Sequence, residues 1–254
     1  MIPGVALDNW KFVDDLPALQ SHEIQVWRID LPDSNSCLQL YHHYLSVDEK
    51  LRADRRLPGR VRDEFVVGRS CLRVLLANNL EISPLDISFR ENDYGKPMLA
   101  EMGSRLWFNL SHSHGIILIT LSREGEVGID AEHVDLSKDV MELAPSVLTP
   151  NELREWNALS VQEAKQFSFY GKWTRKEAVV KADGRGLSVS FTDFYVPSEA
   201  STEVPVAIAD KVYFLTDIGL GADDVGAVAS ASPNCRMSLQ HFPLSVLKTD
   251  PVKR

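Results

Sequence analysis

The chain has 254 residues, 44% hydrophobic and 25% charged, and carries a net charge of −9 at pH 7. That length and apolar content support a sizeable core, in one large domain or two small ones. The acidic balance argues against general nucleic-acid binding, no apolar run approaches the roughly 18 residues of a membrane span, and Cys37, Cys71 and Cys235 share no CxxC spacing, against a disulfide framework or a zinc site.

The opening segment MIPGVALDNWKFVDDLP has early acids and no basic stretch ahead of an apolar one, so a cytoplasmic location is expected. Residues 23–31, EIQVWRIDL, alternate and predict a strand. Residues 38–45 read as helical, and Ser46 with Glu49 has the form of a capping box opening an arginine-rich helix. That helix ends near Pro58-Gly59; residues 61–79 predict a core helix through Phe65, Val66, Cys71, Leu72, Leu75 and Leu76. Residues 50–73 hold eight Lys/Arg against three Asp/Glu, a basic stretch on an acidic chain. Such a stretch suits a bound anion of limited size, such as a phosphorylated small molecule.

Short strands are predicted at 87–90, 106–110, 116–121 and 127–132, with Gly95-Lys96-Pro97 in a turn and Ser111 to Gly115 in a loop. A helix is expected over 138–147. Thr149, Pro150 and Glu152 then mark the start of another, and a long helix covers 161–182 until Asp183-Gly184-Arg185-Gly186 stops it. The remainder predicts strands at 191–196, 204–208, 211–215 and 225–231, with the last dozen residues loosely held. Helices followed by strands occur twice. The fold class expected is therefore α+β: two pseudo-symmetric α/β subdomains, helices packed on antiparallel sheets, covering 1–124 and 125–254.

The chemistry concentrates in three places. On the long helix Trp173, Glu177 and Lys181 fall at i, i+4 and i+8, so they share one face. Taken alone, Glu177 and Lys181 read as an ordinary helix ion pair. In 127–132, VGIDAE, Asp130 and Glu132 point to one side of a strand, away from Val127, Ile129 and Ala131. Two carboxylates so placed repel unless a divalent cation joins them, and Mg²⁺ prefers few carboxylates plus substrate phosphate oxygens. Glu177 is a plausible third ligand. Lys96, Ser111 and His112 offer phosphate donors from the other half. The chain has no Gly-rich phosphate loop, GxGxxG, HExxH or GxSxG motif.

GKP at 95–97, FNLSHS at 108–113, VGIDAE at 127–132 and FYGKWTRKEAVVKADGRGL at 169–187 together closely resemble the 4′-phosphopantetheinyl transferases of the surfactin-synthetase-activating type. The resemblance covers roughly residues 45–190 at motif level. It implies two pseudo-symmetric halves with coenzyme A at their junction. It also implies a Mg²⁺-dependent transfer of the 4′-phosphopantetheine arm to a serine of an apo acyl, peptidyl or polyketide carrier protein, releasing adenosine 3′,5′-bisphosphate. By position, Asp130, Glu132 and Glu177 match the family's metal site. Glu177 also matches the base for the serine, acting directly or through water, and Lys181 the residue that stabilises or protonates the leaving phosphate. Lys96, Ser111 and His112 match residues holding the coenzyme's phosphates. Family members grip the 3′-phosphate with basic residues at the start of the first helix. Here SVDEKLRADRR puts Asp48 and Glu49 where a lysine is expected, with Lys50, Arg52, Arg55 and Arg56 nearby, and of these Arg52 or Arg56 is taken as the candidate. Two halves in one chain imply a monomer. The competing enzyme class is a Mg²⁺-dependent phosphodiesterase or nucleotidyl transferase using the same acids.

Overall fold

The computed structural model describes residues 9–31, 35–101 and 103–247. In chain order these form β1 (Lys11–Phe12), β2 (Glu23–Asp30), α1 (Asn35–His42), α2 (Val47–Asp54), α3 (Arg60–Leu80), β3 (Phe89–Glu91), β4 (Pro97–Leu99), β5 (Trp107–Ser113), β6 (Ile116–Ser122) and β7 (Val127–His133). Then come α4 (Ala144–Val147), α5 (Pro150–Asn157), α6 (Gln162–Asp183), β8 (Val204–Ile208), β9 (Lys211–Gly219), β10 (Asp224–Ser230) and β11 (Arg236–His241). The class is α+β.

One sheet has the order β1-β11-β2-β6-β5 and a second β7-β10-β9-β8; β3 and β4 form a separate hairpin. The sheets stack face to face. Ile24, Val26 and Leu118 of the first meet Val127, Ile129, Ala131 and Val228 of the second. α3 covers the outer face of the first sheet, with Leu72 and Leu75 against Trp27 and Ile119. α6 covers the outer face of the second, with Ala178 and Ala182 against Ala227 and Ala229. The result is a helix–sheet–sheet–helix sandwich.

The local signals worked as their chemistry requires. Ser46 accepts from the Glu49 N–H while Glu49 accepts from the Ser46 N–H at 2.9 Å, and Thr149 and Glu152 close the same box at the start of α5. α6 stops at Gly184, whose φ of 83° lets its N–H close on the Val180 carbonyl.

Several expectations need correction. β5 continues through Ser113, so Ser111 and His112 are strand residues and not loop residues; only His114 and Gly115, both at positive φ, make the hairpin turn. Within 138–147 only Ala144–Val147 is helical. Residues 191–196 do not form a strand. Phe191–Asp193 is a 3₁₀ turn, and the Phe191 and Phe194 carbonyls accept from the Lys176 ammonium at 2.6 Å each. β11, unforeseen, inserts between β1 and β2 in parallel with both, so the first sheet is mixed, not antiparallel. β11 carries the chain back across the expected 124/125 boundary into the first sheet. Leu247 packs against the first core, while residues 248–254 lie outside the described residues.

Candidate active site

The site forms where α6 crosses β7. Gly128, Asp130 and Glu132 alternate on the face of β7 toward α6. A Cβ built on Gly128 would stand 2.1 Å from the Ala178 carbonyl oxygen and 2.3 Å from the Ala182 nitrogen. The helix backbone therefore lies directly on the strand, which only glycine permits here. This close approach sets Asp130 and Glu132 beneath Glu177 and Lys181.

Asp130 is 3% exposed. Its Oδ1 accepts from Lys181 Nζ at 2.6 Å and from Ser111 Oγ at 2.8 Å, and Lys181 also reaches Ser111 Oγ at 3.1 Å. Its Oδ2 is buried with no partner among the described residues. Burial, and then the Asp130 charge, push the Glu132 carboxyl up to about 7; Glu177 adds to the rise, while Lys181 and the Trp173 indole oppose it. Burial and Asp130 likewise raise Glu177, against Lys181. Three carboxylates thus face one ammonium, and protons or a cation must make up the balance.

A hard divalent cation fits this chemistry: an all-oxygen donor set, surplus negative charge and an orphaned buried carboxylate oxygen. The three acids do not converge on one point as they stand. Among the described residues no three His, Cys, Asp or Glu side chains form a ready metal-holding group.

His112 follows Ser111 on β5 and turns to the opposite face, toward α3. Its Nδ1 lies 3.3 Å from the buried Glu64 carboxylate of α3, which orients the ring. A cleft lined by Glu64, Phe65, Arg69, Pro97, Phe108 and His112 opens there. Arg56 lies over the ring of Phe65, a cleft-lining residue, at 4.1 Å and donates to the Arg52 carbonyl, while Arg52 is exposed. Arg73 is structural: it binds Glu49 at 2.6 Å and the Pro84 and Ile87 carbonyls.

The Lys96 ammonium donates to the Ala182 carbonyl at 2.9 Å and lies 3.4 Å from that of Val127, so it latches the end of α6. Burial lowers it to about 8, with Glu126 and Asp183 opposing.

Residues 126–219, from the edge of β7 to the end of β9, match the 4′-phosphopantetheinyl transferase superfamily. The chain is 37% identical over 172 residues to 4′-phosphopantetheinyl transferase HetI of Nostoc sp. (strain PCC 7120), an alignment covering 67% of this chain and 72% of HetI. The chain belongs to the 4′-phosphopantetheinyl transferase superfamily. The AcpT transferase of Salmonella typhimurium is 39% identical over 130 residues, covering 51% of this chain and 65% of AcpT. The Sfp transferase of Bacillus subtilis is 24% identical over 184 residues, covering 72% and 80%.

In this phosphopantetheinyl transferase superfamily member, four contributors to the site were not singled out from sequence. Gly128 had a signal, since a glycine inside a strand marks a close backbone approach. Glu64 counted only as one acid in a basic stretch. Asn109 and Ser113, which bond across to β7, stood inside the FNLSHS motif but were given no role of their own. The far side of α6 is also charged. Lys176 pairs with Glu152 at 2.9 Å, both fully buried, and Arg175 forks onto Asp217. These pairs anchor the helix and leave Glu177 and Lys181 facing the other way.

Proposed function

We propose that the chain transfers the 4′-phosphopantetheine arm of coenzyme A to a serine of an apo acyl, peptidyl or polyketide carrier protein, releasing adenosine 3′,5′-bisphosphate. It acts as a cytoplasmic monomer; no helix among the described residues is long and apolar enough to cross a membrane. The observation that carries the reading is the meeting of Asp130, Lys181 and Ser111, drawn from β7, α6 and β5 within 3.1 Å of one another. Superfamily membership supports it.

In this reading Asp130, Glu132 and Glu177 hold Mg²⁺, which when bound supplies positive charge to the pyrophosphate of the coenzyme. Ser111 and His112 hold phosphate oxygens from the β5 side, and Arg52 or Arg56 at the rim takes the 3′-phosphate. Glu177, raised from its ordinary value by burial and the Asp130 charge, is suited to accept the proton of the serine hydroxyl, directly or through water. Lys181 stabilises or protonates the phosphate that leaves. Phosphoryl transfer depends chiefly on positioning and charge stabilisation, which these groups provide.

The test incubates the protein with coenzyme A, Mg²⁺ and an apo acyl carrier protein and weighs the carrier. A gain of one phosphopantetheine arm is expected. No gain on several carriers that a known transferase loads under the same conditions would sink the reading, and hydrolysis of coenzyme A with the carrier unchanged would favour a phosphodiesterase.

A further inference from the structure

β7 is an edge strand. It pairs with β10 on one side only, so alternate residues turn their backbone N–H and C=O toward β5 of the other sheet. Buried backbone groups of this kind need partners. No ladder joins β5 to β7; side chains of the first half close the gap instead. Asn109 Oδ1 accepts from the Ile129 N–H at 3.0 Å, and Ser113 Oγ from the His133 N–H at 3.0 Å. Ser111, between them on the same face of β5, donates to the Asp130 carboxylate at 2.8 Å. At the start of β7, Lys96 serves the Val127 carbonyl and ties it to the last turn of α6.

We propose that Asn109 is a positioning residue: by holding the Ile129 N–H it fixes the backbone one residue before Asp130, and so sets that carboxylate under Lys181 and Ser111. The claim rests on Asp130 belonging to the transfer site. Of the bonds from β5 to the β7 backbone, that to Ile129 is fully buried, while that to His133 is only partly so. Water cannot readily replace the Asn109 oxygen, and its removal leaves the β5-facing edge of the strand beside Asp130 without that bond, held there only by the β10 ladder on the other side. Asn109 also borders the cleft that holds His112. A direct contact with coenzyme A would appear in KM; positioning of Asp130 appears in kcat.

The experiment compares Asn109→Ala with the parent and with Ser70→Ala. The latter removes an equally buried hydrogen bond, to the Tyr41 carbonyl, far from β7. Carrier loading gives kcat and KM for coenzyme A on folded protein, and amide hydrogen exchange reads residues 129–133. Asn109→Ala is expected to lower kcat about tenfold to a hundredfold with KM held within about threefold, and to speed exchange across 129–133 at least ~tenfold. Ser70→Ala should do neither. Unchanged exchange at 129–133 overturns the proposal, as does a raised KM with kcat intact, or an equal loss of kcat in Ser70→Ala. If Asn109→Ala does not fold, Ser113→Ala gives the same readouts from the His133 end. If the parent loads no carrier, the transferase reading fails by itself, and the exchange rates still decide whether Asn109 holds β7.

Discussion

Gly128→Ala isolates the contact on which the site depends. The added Cβ would meet the Ala178 carbonyl oxygen at 2.1 Å, and ordinary contact begins at 3.4 Å, so α6 and β7 must part by 1.3 Å. The obstruction is helix backbone, which has no rotamer to yield. Overpacking against yielding side chains costs about 1–3 kcal/mol, so this one belongs at ~3 kcal/mol or above. In a chain of this size that lowers Tm by roughly 6–12 °C. The same separation stretches the 2.6 Å Lys181–Asp130 bond, which the lysine keeps only by re-extending its stem into a changed geometry. A displacement of about 1 Å at a reacting centre can remove ~100-fold of the rate. The assays are scanning fluorimetry for Tm and carrier loading by mass spectrometry below the variant's Tm. A Tm within ~2 °C of the parent and loading within about threefold would refute the argument that strand and helix backbones touch here and that this contact sets the site.

Glu177→Gln should reduce carrier loading by about 10²–10³-fold with coenzyme A affinity by calorimetry nearly intact; near-normal turnover removes Glu177 from the mechanism. Lys181→Met should lose rate on the same order of ~10²–10³-fold, measured in single-turnover loading. Glu132 sits at about 7 when folded against 4.5 ordinarily, so between these values the folded protein binds the extra proton and stability falls as pH rises through the window. Glu132→Gln should flatten that fall and gain ~1–2 kcal/mol at pH 8 without divalent cation, after allowing for solvent screening, as read by urea unfolding at pH 5.5 and 8. Lys176→Met strands Glu152, wholly buried, and should cost about 3–5 kcal/mol by the same method, with Glu152→Gln in the same chain recovering part of it.

Sequence alone determined what depends on neighbours along the chain. The Ser46–Glu49 and Thr149–Glu152 boxes, the αL stop at Gly184, the long helix and the strand carrying Asp130 and Glu132 are set by local hydrogen bonding and by the 3.6- and 2-residue periods. Those periods also place Glu177 with Lys181 and Asp130 with Glu132. What they leave open is which long-range partner each group meets. Lys96 carries the same charge whether it faces a phosphate or the Ala182 carbonyl, and only the packing of the β3–β4 turn against α6 decides for the carbonyl. The 191–196 segment has strand-like composition, yet the buried Lys176 ammonium takes its carbonyls and bends it. β11 reads as a polar stretch because its pattern is completed by β1 and β2, more than two hundred residues away in sequence. The closure of the site is likewise tertiary. Asn109 and Ser113 reach the β7 backbone only because β7 is an edge strand facing them, a fact of sheet order that no window of sequence contains.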